Sequence, residues 1–366
     1  MKSKRRFRTI LFSVAAAVIL FCVLVGCRYA SRFQTIGTLE RVTDYEDGYN
    51  LYAMRVRYDY DLDRVIASGC TNTQQLVDAV VKEALPGFPV HIEVPAFGCS
   101  AFRSGTTDGN VVMGRNYDFK LDTSALLVRC EPKNGYRSIA FAALDNIGAD
   151  RADASFASRL ACLTAPFICL DGVNEKGVSV AVLTLPSPPT LHDTGKPKLA
   201  TPLLIRLVLD RAATTDEALE LIRRYDMFSS NGRDYHFIVS DASGNSVAVE
   251  FDCESETREL TVTPTRAITN FFVMHADKVK PDGDNGMYGK GMNRYTAMLD
   301  VLDAHPGSVT REVAWEALRA AAQDPNPEDI TSNTQWSILF DNTSPSAEIT
   351  IRRHWADRHR FAVAEP

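Results

Sequence analysis

Short apolar runs separated by polar, glycine-containing turns dominate the chain from residue 99 onward, and this pattern is typical of β-strands. The stretch Asp241-Ala242-Ser243-Gly244-Asn245 predicts the turn of a hairpin between two of these runs. An earlier strand is predicted at Leu51 to Tyr58. The others are predicted at Val111 to Tyr117, Ala125 to Cys130, Ser138 to Ala143, Gly177 to Leu183, Tyr235 to Ser240, Ser246 to Phe251, within Glu259 to Thr269, at Gln335 to Phe340 and at Glu348 to Arg353.

Helical spacing of apolar residues interrupts the strands in three places. The longest region is divided by Thr214-Thr215-Asp216-Glu217, a capping box that begins a second helix. Strands, helices, strands, helices and strands therefore follow one another, which favours a layered α+β domain over a repeating βαβ fold. The predicted helices are Thr73 to Glu83, two helices within Pro202 to Tyr225, Arg294 to Leu302 and Arg311 to Ala322.

The first residues have the pattern of an export signal. Basic residues precede an apolar run from Thr9 to Gly26, and Leu24-Val25-Gly26-Cys27 resembles the bacterial lipobox, whose cysteine is lipidated. The run is also long enough for an uncleaved membrane anchor, although the lipobox favours a lipoprotein. We therefore expect an exported, membrane-attached protein with three parts: residues 1–27 as signal or anchor, 28–98 as a pro-segment or small α+β subunit, and 99–366 as the catalytic domain.

Composition narrows the functional classes. The 366 residues are 45% hydrophobic and 23% charged, with a net charge of −6 and a pI of about 5.7. An acidic chain of this kind lacks the basic excess typical of nucleic-acid binders, so we expect no nucleic-acid partner. The eight cysteines form no CxxC or Cys/His metal spacing, and no metal or cofactor is predicted.

Residues 97–119, FGCSAFRSGTTDGNVVMGRNYDF, carry the strongest chemical signal. A predicted hairpin with a polar turn returns Arg115 and Asp118 towards Cys99. A cysteine is a nucleophile only as thiolate and needs a base, yet none of the seven histidines has the sequence surroundings of a cysteine-protease base. Cleavage of the Gly98–Cys99 bond would supply one, because a free α-amino group has a pKa of about 7.7 to 8.0. Glycine before the cysteine tolerates the strained geometry of such a cut.

This stretch resembles the N-terminal-nucleophile hydrolases of the choloylglycine hydrolase and penicillin V acylase group, and the related isopenicillin N acyltransferase and acid ceramidase families. Arg115 and Asp118 match the family's Arg-Asn-x-Asp element after the cysteine. Three further matches follow in the family's order, at Gly172-Val173-Asn174-Glu175-Lys176-Gly177, Thr269-Asn270 and Asn293-Arg294-Tyr295. The resemblance runs from Cys99 to the C-terminus and implies a four-layer αββα sandwich, in which helices cover two stacked antiparallel sheets.

The resemblance also implies roles for these residues. Cys99 is the nucleophile, its own α-amine is the base, and Asp118 accepts hydrogen bonds from that amine. Arg115 and Arg294 lower the pKa of the thiol and order the carboxylate. Asn174 and Asn270 donate to the oxyanion, although the backbone near Asn174 is an alternative donor.

Each residue also has a structural explanation when taken alone. Arg115 with Asp118 is most often a structural ion pair, Asn174 suits a turn, and Asn270 suits a strand end. Their joint occurrence favours the catalytic interpretation.

We therefore predict an autoproteolytic amidase that cleaves a linear, non-peptide C–N bond in a small N-acyl amine. Bile salt conjugates, penicillin V and N-acyl homoserine lactones are candidate substrates. The alternatives are an acyltransferase, favoured by the pro-segment of about 70 residues between Cys27 and Cys99, and an inactive lipid-anchored binding protein. Phe271-Phe272 after Asn270 predicts an apolar substrate wall and argues against bile salts. A homo-oligomer is possible.

Overall fold

The structure is a computed structural model that describes residues 29–87, 98–119, 121–149, 151–281, 283, 285–326, 328–329 and 332–364, with isolated positions 20, 23 and 26. The predicted lipobox cysteine, Cys27, and nearly all of the apolar run before it lie outside these residues. Within them, every helix is too short or too polar to cross a membrane.

The larger sheet of the described chain has nine strands, and neighbouring strands are antiparallel except for one pair. The exception is the strand Leu51–Arg55, which comes from the segment before Cys99 and runs parallel to the strand Ala125–Cys130. In spatial order the strands are β1 (Glu40–Arg41), β2 (Leu51–Arg55), β5 (Ala125–Cys130), β6 (Ser138–Ala143), β7 (Asp171–Asn174), β8 (Ser179–Leu185), β11 (Asp234–Ser240), β12 (Ser246–Phe251) and β13 (Leu260–Pro264).

The second sheet has six strands in the described chain, and all its neighbouring pairs are antiparallel. A separate parallel pair joins β9 to β10. In spatial order the six strands are β14 (Ala267–Ile268), β3 (Gly98–Gly105), β4 (Val111–Asp118), β15 (Thr334–Asp341), β16 (Ser346–Ile351) and β17 (His359–Ala362), and the pair is β9 (Lys198–Ala200) with β10 (Asp226–Phe228).

The helices cover the outer faces of the two sheets. Helix α5 packs on β7 and β8 of the larger sheet, whereas α7 packs on β3 and β14, and α8 packs on β4 and β15. The helices are α1 (29–37), α2 (Leu62–Ala67), α3 (Thr73–Ala84), α4 (Phe156–Ala161), α5 (Thr201–Arg211), α6 (Thr215–Ile222), α7 (Met292–Asp303) and α8 (Arg311–Ala320), and short 3₁₀ turns lie at Asp145–Ile147, Cys162–Phe167, Ser230–Gly232, Val273–Lys278 and Gly286–Tyr288.

The sheets also contact each other face to face, through β3 with β8 and β15 with β7. One apolar cluster fills the space between the sheets, and a second lies between the smaller sheet and helices α7 and α8. These contacts confirm the predicted αββα sandwich. The one correction is that the larger sheet is mixed, because of the parallel β2–β5 pair.

The segment before Cys99 is part of this sandwich. Its strand β2 pairs with β5 along its whole length, and Leu51, Tyr52 and Met54 are buried. Helix α3 adds Leu76, with Val77 and Val80, to the same core. The described part of this segment therefore contributes core side chains to the larger sheet.

Several predicted boundaries were wrong for local reasons. The strand predicted from Gly177 begins at Ser179, because Gly177 has φ +81° and belongs to the turn, where a Cβ would collide with the carbonyl of Asn342. The strand predicted to Tyr58 ends at Arg55, and the one predicted to Arg353 ends at Ile351 before Arg352 and Arg353, both with positive φ. The helix predicted to Ala322 ends at Ala320.

Candidate active site

Two strand registers bring the predicted cysteine, aspartate and asparagine together. In the β3–β4 hairpin, Gly98 lies opposite Asp118 and Cys99 lies opposite Tyr117, as the sequence spacing predicted. On the other side of β3, Ile268 of β14 lies opposite Ala101. The same register, continued two residues past the end of β14, places Asn270 opposite Cys99.

Arg294 donates hydrogen bonds to all three of these residues. It lies in the first turn of α7, and its Nη1 donates to the carbonyl oxygen of Cys99 at 3.0 Å and to Asp118 Oδ2 at 3.1 Å. Its Nη2 donates to Asn270 Oδ1 at 2.8 Å. One guanidinium thus fixes the backbone of Cys99, the carboxylate and the amide, and the fork geometry of arginine suits this task.

Asp118 is fully buried and receives three side-chain donors. Thr334 donates to its Oδ1 at 2.7 Å, while Gln323 and Arg294 donate to its Oδ2 at 3.1 Å. Burial raises the pKa of Asp118, and these donors and Arg294 offset part of the rise.

The single N–H of Cys99 donates to Asn270 Oδ1 at 3.0 Å in the uncut chain, and not to Asp118. Cleavage would turn this nitrogen into an amine with further hydrogens, so a bond from the amine to Asp118 stays a prediction for the cleaved form.

Arg115 lies on the other face of β4, between the two sheets. Its Nε is 2.6 Å from Asp171 Oδ2 on β7, and its Nη2 donates to the carbonyl of Val182 on β8. Arg115 and Asp171 are both fully buried. Burial raises the pKa of Asp171 to about 6, although the Arg115 cation opposes the rise. Arg115 therefore forms its ion pair with Asp171 rather than with Asp118, because the side chains of Arg115 and Asp118 lie on opposite faces of β4.

The thiol of Cys99 is sealed from solvent in the uncut chain. Burial raises its pKa to about 12, while the Arg115 guanidinium and the backbone N–H of Asp118 lower it by contacting the sulfur. Very little thiolate forms at neutral pH under these conditions. A functional nucleophile at this position needs a base and a route for substrate that the uncut chain does not offer.

The two predicted oxyanion asparagines have different surroundings. The Nδ2 of Asn270 donates one hydrogen to the carbonyl of Thr184 at 2.9 Å. An amide nitrogen carries two hydrogens, and the second has no acceptor among the residues that the structure describes, so it can donate to a ligand. Both Nδ2 hydrogens of Asn174 are used, by the carbonyls of Leu209 at 3.0 Å and Ala212 at 2.8 Å at the end of α5.

The Oδ1 of Asn174 accepts from the backbone N–H groups of Lys176 and Val178 within its own turn. Asn174 also lies three residues along β7 from Asp171, which is roughly 10 Å in a strand. The structure brings Cys99, Arg115, Asp118, Asn270 and Arg294 into one network, and it places Asn174 outside that network.

Sequence reasoning missed the residues that hold this network in place. Asp171 carried a signal, because it is the lone acid in the apolar stretch Phe167 to Val173. Gln323 and Thr334 carried none, since polar residues are common just after a helix, as at Gln323, and at the start of a strand, as at Thr334.

Buried Glu250, also missed, accepts from the N–H groups of Val273 and Met274 and from His236, and so fixes the turn after Asn270. His236 itself lies in β11.

A cavity of about 320 Å³ adjoins the network through Asn270. Leu185 and Pro186 give it an apolar side, and Arg233 and Lys290 bring positive charge. Lys290 is ion-paired with Asp329 at 2.6 Å. Arg233 has no hydrogen bond or ion pair with any residue that the structure describes, so it is the cation available to a ligand there. The expectation that no metal or cofactor takes part in the reaction stays a prediction.

The fold is that of solved amide hydrolases. A penicillin V acylase from Agrobacterium tumefaciens superposes with a TM-score of 0.51 at 19% identity, covering 69% of this chain and 83% of that one. Two variants of a conjugated bile acid hydrolase from Clostridium perfringens each superpose with a TM-score of 0.52 at 16% identity, covering 72% of this chain and 92% of theirs. The chain thus has the αββα fold of these hydrolases.

Sequence comparison then identifies the family. Residues 99–266 match the model of the linear amide C–N hydrolases, choloylglycine hydrolase family. The match begins at Cys99, the residue at the centre of the network. Over residues 99–266 the chain is similar to this family, and the predicted relationship is confirmed for that segment.

Proposed function

We propose that this protein is a cysteine amidohydrolase that activates itself by cutting the Gly98–Cys99 bond and then cleaves a linear, non-peptide amide. The match of residues 99–266 to the linear amide C–N hydrolase family supports the reaction class. The observation that carries the proposal is the network at Cys99. Both the nitrogen and the carbonyl oxygen of this residue are held by side chains, at 3.0 Å from Asn270 and Arg294 respectively.

Activation begins with attack of the Cys99 sulfur on the carbonyl carbon of Gly98. The C–S bond forms as the C–N bond breaks, the thiol proton moves to the nitrogen, and water then hydrolyses the thioester. The products are the carboxylate of Gly98 and a free amine on Cys99. This amine can serve as the base because its ordinary pKa lies near neutrality, whereas the thiol pKa of about 12 gives little thiolate by itself.

Turnover follows the same chemistry on a bound amide. The α-amine takes the thiol proton, the sulfur attacks the substrate carbonyl, and the remaining Nδ2 hydrogen of Asn270 donates to the oxyanion. The amine product leaves with a proton from the α-ammonium group. Water then attacks the thioester, with the α-amine as base, and releases the acid. Arg294 and Asp118 hold the backbone of Cys99 and Asn270 in position throughout.

The cavity next to Asn270 indicates the substrate's chemical class. An apolar group fits against Leu185 and Pro186, and an anionic group fits Arg233, which offers a planar fork of donors. The substrate we propose is an N-acyl amine that carries both an apolar group and a carboxylate or similar anion. A change of Arg233→Gln should raise KM for anionic substrates about tenfold and leave neutral amides unaffected, because one charge-assisted hydrogen bond contributes roughly 1.5 kcal/mol or more.

Amine release from a panel of N-acyl amides tests the proposed activity. The panel pairs each acidic amine, such as an N-acyl amino acid, with its neutral amide. Wild-type protein should release amine and free acid, while Cys99→Ala should release neither because it lacks the nucleophile. Equal release of amine by the two proteins would show that Cys99 is not the nucleophile.

The same panel separates the alternatives. An acyltransferase would form a new amide when a second amine is added, at the expense of free acid. A binding protein without activity would release nothing but would retain the ligand. The attachment to a membrane through Cys27 or an N-terminal helix, and export from the cytoplasm, stay proposals that depend on the sequence pattern of residues 1–27.

A further inference from the structure

Three metal-ligating side chains meet on the far side of the Asn270 turn. Asp252 and Cys253 lie in the loop between β12 and β13, and His275 lies in the turn Val273–Lys278. One ligand atom from each lies within 4.8 Å of the other two, and His275 Nε2 is 2.8 Å from Asp252 Oδ1. His275 is far from Asp252 and Cys253 in the sequence, which is why the sequence shows no metal-binding spacing there.

We propose that Asp252, Cys253 and His275 bind one zinc-like divalent cation, a site separate from the proposed hydrolase activity. Zinc binds sulfur at about 2.3 Å and nitrogen or oxygen at about 2.0–2.2 Å, so tetrahedral ligands are roughly 3.3–3.6 Å apart. The ligand atoms observed here are separated by distances on both sides of this range, from 2.8 Å up to at most 4.8 Å. Binding would replace the His275–Asp252 hydrogen bond with two metal bonds and release the proton of the Cys253 thiol.

Contacts outside the cluster also hold two of the three ligands in place. Asp252 is paired with Glu259 across the loop, and its Oδ1 also accepts from the N–H of Glu254 at 2.9 Å. His275 is buried, and its ring contacts Phe272 and Tyr288. Preordered ligands of this kind lose little freedom when a metal binds.

Cys253 is the ligand that identifies the site. Of the six cysteines in the described chain, all are free thiols, and Cys253 is the one that is not buried. It has no hydrogen bond to a described residue. Three protein ligands leave one coordination position for water, so the site is open rather than closed.

The site would link the β12–β13 loop to the cavity wall. His275 contacts Tyr288, and Gly286 and Gly289 on either side of Tyr288 line the cavity. The backbone of Phe272 donates to the carbonyl of Tyr288 at 2.9 Å. A bound cation would therefore stabilise the turn that follows Asn270 together with one wall of the cavity.

Cobalt(II) titration of purified full-chain protein tests the site, because a cobalt–thiolate bond gives a near-ultraviolet charge-transfer band. The Cys99→Ala protein serves as the background, so the proposed catalytic thiol contributes nothing and loss of hydrolysis does not affect the readout. One equivalent of cobalt should produce the band, and zinc should displace it.

Adding Cys253→Ser should abolish the band and weaken zinc binding at least about 100-fold, the upper end of the loss seen for an outer-shell partner. His275→Gln should weaken it likewise, whereas the exposed control His305→Gln should not. Zinc should also raise the melting temperature of the background protein and leave that of Cys253→Ser unchanged. No band at one equivalent, or a band that survives Cys253→Ser, would overturn the site.

Discussion

The two asparagines that the sequence could not tell apart have opposite expected phenotypes. Asn270→Ala removes an amide hydrogen that no described residue accepts, since the other hydrogen of Nδ2 donates to Thr184. Loss of a single oxyanion donor lowers kcat by about 10²–10³, which is about 3–4 kcal/mol of transition-state stabilisation. KM should change little, because the interaction strengthens only as the oxyanion develops.

Asn174→Ala should affect folding instead. The side chain makes four buried hydrogen bonds, two from Nδ2 to the carbonyls of Leu209 and Ala212 and two to Oδ1 from the turn. At about 1 kcal/mol for each bond, with some replaced by water, the expected loss is about 2–4 kcal/mol of unfolding free energy. The folded fraction should keep its kcat.

Measuring kcat and the free energy of urea unfolding on the same preparations tests both assignments. Asn270 also accepts from the N–H of Cys99, so kcat is expressed for each chain that begins at Cys99, counted by mass. Asn270→Asp is a second variant, because it keeps the acceptor and loses both donors, and it should be as slow as Asn270→Ala. A near wild-type kcat for Asn270→Ala, or a 100-fold loss of kcat for Asn174→Ala at unchanged stability, would refute the assignment.

Three further predictions follow from burial and charge. The rate of self-cleavage of freshly refolded precursor should rise about tenfold per pH unit through neutrality, because the nucleophile is a thiolate whose pKa is about 12. Substrate turnover by the cleaved enzyme should instead level off above the α-amine pKa near 8. The same pH profile for both reactions would contradict this. After cleavage, residues 28–98 should co-purify with the catalytic chain until denaturation, since β2 lies in the larger sheet, and a lone catalytic chain on a native gel would contradict retention. In the Cys99→Ala background, Asp171 should stabilise the fold less as pH rises from about 4 to 6, because its pKa is about 6 when folded and about 3.9 when unfolded. The unfolding free energy of this background minus that of the same protein with Asp171→Asn, both from urea unfolding, should therefore fall over this range, and a constant difference would contradict the raised pKa.

Much of the fold could be predicted because local signals and tertiary structure agree. The hairpin of β3 and β4 follows from a polar turn between apolar runs, and helix α6 begins where Thr214 accepts from the N–H of Glu217. The capping box there was predicted from the sequence alone. Short elements such as β7 (Asp171–Asn174), β17 (His359–Ala362) and α2 (Leu62–Ala67) were missed, because pairing and packing stabilise them more than their own residues do.

The site could be predicted only as far as residue type and order reveal it. Cys99, Asp118, Asn270 and Arg294 lie in one hydrogen-bonded network, and their catalytic roles stay predictions. The partner of Arg115 could not be predicted, because Asp171 lies on the other sheet and sequence says nothing about which strands face each other. The hydrogen bonds of the Asn174 amide could not be predicted for the same reason, since the carbonyls that accept them lie at the end of helix α5, far along the chain.

The most direct test of the central claim is the N-terminal residue of the active enzyme. Intact mass and N-terminal sequencing of protein purified by its amide hydrolase activity should give a chain of 366 − 98 = 268 residues that begins with Cys99 and ends with Pro366. The Cys99→Ala protein, prepared in parallel, should stay joined at residue 98. An active enzyme in which Cys99 is still linked to Gly98 would contradict both self-cleavage and the use of the α-amine as base.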